Sequence, residues 1–280
     1  MDNLHPPPYE ANNFYFLINI LSGLSIEVAL QGLVHVCYRL FVGEEKRDFK
    51  FYTVATLLTI CNLSTIAYII ANIYISAAES WCHIAGVVDN LASHLLFVSL
   101  DAIVLFKCYF ITNRNKYSLF CIFLVLTHRI GWMIADLIQS YAYWDDSSFS
   151  CVYVQDPLTG IGYTSADIIS DIFATMTALI IVFFRFSISS KYIQTMVIRT
   201  LLRSVLVVAA DGWVLYSNAN VTDLMWYNYA WNTQTYVLVR MANLDVLLDL
   251  GNLKEAADSN SSGYNSQNYA DSEKEKRTLK

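Results

Sequence analysis

Seven apolar runs of membrane-spanning length constrain this chain more than any other feature. Crossing a hydrocarbon layer roughly 30 Å thick takes about 20 residues at 1.5 Å rise each. Runs of that length recur at about 14–42, 51–77, 82–111, 117–143, 161–186, 197–217 and 225–250. They are too long and continuous for barrel strands, which alternate over about ten residues, and in lipid a helix satisfies its own backbone hydrogen bonds. The expected fold is therefore all-α integral membrane, a seven-transmembrane helix bundle. A content of 55% hydrophobic and 14% aromatic residues agrees with that. The sixth run is the weakest, being short and carrying Arg199, Arg203 and Asp211. No signal peptide is expected, because residues 1–13 hold no Lys or Arg and the following run is too long for a signal h-region.

Basic residues orient the bundle, since short loops keep Lys and Arg on the cytoplasmic side. Segments 1–13, 78–81, 144–160 and 218–224 contain neither. The alternate connections hold Lys46, Arg47, Lys50, Arg114, Lys116 and Lys191, and the tail adds Lys254, Lys274, Lys276, Arg277 and Lys280. Only Arg129 and Arg240 lie well inside helices. The N-terminus is expected outside and the C-terminus in the cytosol. The formal net charge of -6 has little weight here, because acidic residues contribute weakly to orientation.

Three regions follow. Residues 1–13, with Pro6, Pro7 and Pro8, read as an extracellular arm that does not form a helix. Residues 14–250 form the seven-helix transmembrane domain. Residues 251–280 are polar, serine-rich and low in aliphatics, which predicts a disordered cytosolic tail.

Six cysteines sort by position. Cys37, Cys61, Cys108 and Cys121 fall within or at the inner ends of helices and read as small buried apolar residues. Cys82, at the outer end of the third run, and Cys151, in the longest outer loop, sit alone on the oxidising side. A Cys82–Cys151 disulfide is predicted.

With these features together, the chain resembles the rhodopsin-like class of G-protein-coupled receptors. The resemblance covers all seven spans as architecture: an outer N-terminus, a cytosolic tail, and a bridge from the top of helix 3 to the second outer loop. In amine-binding members an acidic residue follows the helix 3 cysteine by seven positions, as Asp89 follows Cys82 here. Asn62 resembles the helix 2 site that usually carries an aspartate, and Trp132 the helix 4 tryptophan. The Asp-Arg-Tyr switch is replaced by Phe106, Lys107 and Cys108, and the helix 6 and helix 7 proline motifs are absent. The resemblance implies a small cationic ligand and a heterotrimeric G protein as cytosolic partner.

Intramembrane charges lead to the same region from the residues alone. An ionisable side chain facing lipid costs several kcal/mol, so such residues turn inward and mark sites. Asp89, Asp136, Asp167, Asp171 and Asp211 all fall roughly 9–15 Å below the outer surface. Neither buried arginine is expected in that layer. Asp167 and Asp171 stand i, i+4 on one helix face, with Thr164 and Thr175 extending the stripe. Carboxylates so placed hold a cation between them or keep a proton. Asn90, His94 and Asp101 form a second stripe with Asp89 at its edge. A single such aspartate serves equally well as a hydrogen-bonded fastener between helices. His94 reads as a packed, hydrogen-bonded histidine, His128 as pairing with a neighbouring helix, and Asp245 and Asp249 as acceptors for Lys107 or Arg240 at the inner end.

The seventh run has no lysine for a retinal Schiff base, and no HExxH, zinc-spaced Cys/His cluster, phosphate-binding glycine loop or Gly-x-Ser-x-Gly is present. Neither an enzyme nor a nucleic-acid binder is expected, and no cofactor or metal centre. Asn220 begins an Asn-Val-Thr glycosylation sequon in the third outer loop. The leading expectation is a multi-pass plasma-membrane receptor binding a small cationic ligand in an acidic outward-facing cavity. The same carboxylates would serve a cation or proton transporter, and a structural membrane protein needs no cavity.

Overall fold

A computed structural model of the chain describes residues 8–42, 49–75, 79–112, 114–146, 149–185, 191–220 and 226–244. Seven helices are present among them: α1 (Pro8–Phe41), α2 (Phe49–Ile75), α3 (Glu79–Ile111), α4 (Lys116–Gln139), α5 (Pro157–Arg185), α6 (Lys191–Asn220) and α7 (226–244). Four of them carry stretches long and apolar enough to cross a membrane, at Phe16–Phe41, Phe49–Tyr74, Glu79–Tyr109 and Lys116–Gln139. The chain divides into two units, Met1–Met241 and Ala242–Lys280. Of the second only 242–244 are described, as helix.

The burial pattern of α4 reverses that of a water-soluble helix. Its buried positions are Ile122, Arg129 and Asp136, seven residues apart and so two turns apart on one face. Its outer face instead presents Phe120, Phe123, Leu124, Ile130, Ile134 and Ile138. A helix that turns its charges inward and its large apolar side chains outward is built for a hydrocarbon solvent.

Local chemistry sets the element ends. Asn115 caps α4 by accepting the Tyr117 N–H at 2.9 Å. Asp156 caps α5, its Oδ1 accepting the N–H groups of Leu158 and Thr159, both at 3.0 Å. Pro157 follows at the first helical position, where its missing N–H costs nothing. The same rule corrects the expectation for residues 1–13: α1 begins at Pro8, because a proline is accommodated in a first turn although three in succession argue against helix.

The fourth helix also ends earlier than expected. It stops at Gln139, and residues expected to continue it form β1 (Tyr141–Asp145), antiparallel to β2 (Ser150–Val154). Tyr, Ala and Trp there fit either a helix end or an alternating strand, and pairing with β2 decides for the strand. The hairpin packs against α3, and the Cys82–Cys151 disulfide joins them, with the Cα atoms 5.5 Å apart. Gly86 on α3 makes this approach possible: a Cβ there would lie 2.3 Å from the Cβ of Ala142.

Helix α3 is the hub of the first unit, touching α2, α4, α5 and the hairpin, while α1 packs on α2 and α6 on α5. Cys61 and Cys108 are buried as expected. Cys37 and Cys121, by contrast, are exposed, on helix faces turned away from their neighbours. Asn220, expected in a loop, is the last residue of α6, whose backbone continues helical to that point. Asp245 and Asp249, the tail and residues 1–7 lie outside the described residues.

Candidate functional site

All five expected aspartates are buried, and each has a definite neighbour. They fall into an outer group beneath the hairpin and a deeper group.

In the outer group, Asp136 on α4 accepts three hydrogen bonds: from Ser140 Oγ at 2.9 Å, from Thr159 Oγ1 at 2.5 Å, and through Oδ2 from the ring of His94 on α3, 2.9 Å away. His94 is thus the packed, hydrogen-bonded histidine its position predicted. Its ring meets Tyr163 edge to face at 5.0 Å. Tyr163 Oη accepts a hydrogen bond from Gln155 Nε2 at 2.7 Å, and Gln155 Oε1 in turn accepts from the Tyr227 hydroxyl. Trp231 packs against Phe97, Tyr163 and Tyr227, closing an aromatic cluster between α3, α5 and α7. Tyr153, half-buried on β2, has its hydroxyl held well above the usual phenol range, first by desolvation and then by the Asp136 charge.

Asp89 occupies a different setting at the same level. Its one hydrogen bond comes from the Asn72 amide of α2, at a long 3.3 Å. Among the described residues no basic side chain contacts it. Three tyrosines, Tyr68, Tyr153 and Tyr227, stand close enough to feel its charge.

The deeper group is organised by Arg129, which is completely buried. Its Nε lies 2.6 Å from Asp167 Oδ1 on α5 and 3.6 Å from Asp101 Oδ2 on α3. Its guanidinium also sits over the rings of Phe97 and Tyr163, 5.8 and 5.3 Å from their centroids. The two carboxyl groups are within hydrogen-bonding reach of one another, and Asp211 on α6 feels both Asp167 and Arg129. Asp211 itself accepts from Gln234 Nε2 of α7 at 2.8 Å. Below them, Asp171 Oδ1 lies 3.4 Å from Arg203 Nη2 of α6, and Thr175 is hydrogen-bonded to Ser204.

Two expectations need correction. Arg129, expected nearer mid-depth and apart from the acidic layer, meets Asp167 and Asp101 directly, because Asp167, ten residues into α5, itself lies about 15 Å down. His128 does not pair with a neighbouring helix: its Nε2 accepts the indole N–H of Trp132, four residues along α4, at 3.0 Å. Thr164, buried on the expected stripe, returns its hydroxyl to the Gly160 carbonyl. Asp101, which had no role beyond its stripe, is the second carboxylate facing Arg129.

Sequence reading missed Thr159, Tyr163, Gln155 and Tyr227. A signal for the first two existed, since Thr159 and Tyr163 precede Asp167 at multiples of four on the same helix. For Gln155 and Tyr227, in a loop and at the start of α7, none did. Compared with known proteins, the chain matches no family model and no curated sequence.

Proposed function

We propose that this chain is a seven-span plasma-membrane receptor with its N-terminus outside and its tail in the cytosol. In this reading it takes a small organic cation at Asp89. What carries it is the contrast among the five aspartates: Asp136, Asp167 and Asp171 already face His94, Arg129 and Arg203, and Asp211 holds a short bond from Gln234 within reach of the Arg129 charge, whereas Asp89 has only one long amide contact and three tyrosines close enough to feel its charge.

That setting matches the chemistry of an ammonium group. The carboxylate supplies the charge, and the nearby tyrosine hydroxyls add polar oxygen atoms around it. Asp89 lies two helical turns, about 10 Å, below the disulfide that ties the hairpin to α3, so a ligand would approach from the outer face. Asp136, Asp167, Asp171 and Asp211 then shape the layer beneath the ligand rather than contact it. Signalling would pass along α3 to the inner end around Lys107, where a heterotrimeric G protein is the expected partner.

The test is binding and nucleotide exchange with purified receptor in lipid nanodiscs, using tetramethylammonium as the minimal probe and a panel of monoamines. Asp89→Asn should abolish binding while leaving the disulfide and thermal stability intact. Binding that survives Asp89→Asn would sink the assignment, and ligand binding with no exchange on any G protein would sink the signalling part.

A further inference from the structure

The polar residues of α5 form one row that neither the ligand nor the signalling reading uses. Thr159, Tyr163, Asp167, Asp171 and Thr175 follow one another at intervals of four. From Thr159 to Thr175 the row covers about 24 Å of the roughly 30 Å hydrocarbon thickness. Residues four apart advance by about 40° around a helix, so the row winds as it descends. Its partners change accordingly. At the outer end Thr159 bonds Asp136 of α4, and at mid-depth Asp167 faces Arg129 of α4 and Asp101 of α3. At the inner end Asp171 and Thr175 meet Arg203 and Ser204 of α6.

A row that only fastened helices would have its hydrogen bonds complete. Here the middle of the row does not. Arg129 is fully buried, yet beyond its Nε contact with Asp167 the two terminal guanidinium nitrogens have no hydrogen-bond partner. One oxygen each of Asp101, Asp167, Asp171 and Asp211, and the Gln234 carbonyl oxygen, are likewise buried without one. Donors and acceptors left open on five helices around one point call for ordered water. Charge adds a second requirement. Asp101, Asp167 and Asp211 together oppose the single Arg129, and such an excess of negative charge in hydrocarbon is untenable without added positive charge. A proton shared between two carboxyl groups supplies such charge, and Asp101 and Asp167 stand within hydrogen-bonding reach of one another.

We propose that the α5 row is a proton-conducting path through the bundle, with the Asp167–Asp101 pair beside Arg129 as its proton-holding centre and Asp171 as the next station inward. It rests on the seven-span reading but not on a ligand at Asp89. A proton from outer water reaches the centre past Asp136, His94 and Tyr163. An O–H bond forms on an Asp167 carboxylate oxygen as the donor water's O–H breaks, and that water takes a replacement proton from the outer side, so no hydroxide remains. The proton then moves through a bridging water to Asp171, about 6 Å along the axis, and Asp167 returns to the carboxylate. No electron moves, and the membrane proton gradient supplies the driving force. The charged and titratable groups around the centre are His94 and Asp101 of α3, Arg129 of α4, Tyr163 and Asp171 of α5 itself and Asp211 of α6; around Asp171 they are Arg203 and Asp211 of α6 and Cys108 of α3.

The purified full chain is reconstituted into liposomes containing a pH-sensitive dye, and a potassium diffusion potential, negative inside, is imposed with valinomycin. Internal acidification faster than in empty liposomes is expected. Asp167→Asn and Asp171→Asn should each slow it by about a hundred-fold, the scale of a lost positioned proton carrier. Asp171→Glu should keep it, as should Glu27→Gln on the exposed face of α1. Infrared difference spectra should show a protonated-carboxyl band that Asp167→Asn or Asp101→Asn removes, independently of flux. Thr175→Val, which deletes one hydroxyl, gives a second slowed variant should Asp167→Asn not fold. No flux above empty liposomes, or Asp167→Asn and Asp171→Asn conducting like the wild type, overturns the path. Side-specific thiol labelling of Ser80→Cys and Asn115→Cys separates that result from a failure of the span assignment, which would place both on one side.

Discussion

Replacing Arg129 with Met tests whether the deep cluster is held by charge or merely by volume, since Met fills much of the same space without a charge. At 2.6 Å from Asp167 and 3.6 Å from Asp101, the guanidinium's attractions at an effective dielectric of about 20 are roughly 6 and 5 kcal/mol. Desolvating the three groups costs several kcal/mol per ion, so the assembled cluster contributes little net stability. Removing the cation alone is a different matter, because two buried carboxyl groups then face each other uncompensated. The expected loss is about 3–5 kcal/mol, the usual range for breaking a buried pair. Lost stacking on Phe97 and Tyr163 adds to it. In a thermal melt of the detergent-solubilised protein this is a fall on the order of 10 °C. The decisive measurement is the double-mutant cycle. Asp167→Asn in the Arg129→Met background removes the stranded charge and should restore most of the loss, giving a coupling of at least about 2 kcal/mol. Arg129→Met melting with the wild type, or the two substitutions adding independently, would refute the electrostatic account.

Other consequences are more local. Gly86→Ala should destabilise by about 1–3 kcal/mol, because its Cβ meets the Cβ of Ala142 at 2.3 Å; Ala142→Gly should rescue it in the same melting assay, which identifies the hairpin contact as the cause. Cys82→Ser should cost up to about 4 kcal/mol, the loop-closure value for cysteines separated by 69 residues; non-reducing peptide mapping that finds both thiols free in the wild type would remove the basis for that figure. Asp136→Asn should cost about 1–3 kcal/mol, because an amide cannot accept all three of the carboxylate's hydrogen bonds, and Ser140→Ala less, since it deletes only one of them. Tyr153 gives a pH test: its raised hydroxyl keeps its full contribution below the free phenol value of about 10, and stability falls as pH rises above it, by up to about 1.4 kcal/mol per unit. Tyr153→Phe should flatten its share of that slope in pH-dependent melting.

The helical runs, the Cys82–Cys151 disulfide and the buried aspartates were legible because each rests on a one-dimensional signal: run length, the position of the cysteines and the cost of burial. The hairpin was not, because Tyr141–Trp144 continues an apolar pattern that both helix and strand accept, and only its partner strand distinguishes them. The start of α1 was misplaced for the opposite reason, a local rule against proline applied one position too far. Within the site, which side chains are buried could be read, but not which meet. Depth estimated from backbone rise is too coarse to separate a layer about 15 Å down from mid-depth, so the meeting of Arg129 and Asp167 could not be read. Asp89 and Asp167 therefore looked alike in sequence although one faces an amide and the other a guanidinium.

That difference separates two kinds of work within one bundle. Asp89, on the α2 side of α3, meets residues of α2, the hairpin and α7. The α5 row lies on the other side, and Asp101, Asp167 and Arg129 bind α3, α4 and α5 to one another. The two settings share Tyr227, which feels the Asp89 charge and donates to Gln155, whose amide donates to Tyr163 over Arg129. A cation arriving at Asp89 would act on Tyr227 first, and a shift of that hydroxyl would free Gln155 and loosen the ring that covers the guanidinium. Tyr227→Phe breaks this link while leaving both carboxylate sites intact. Ligand-dependent proton flux should therefore be lost in that variant while tetramethylammonium binding and basal flux persist, and flux that still responds to the ligand would mean the two sites communicate by another route.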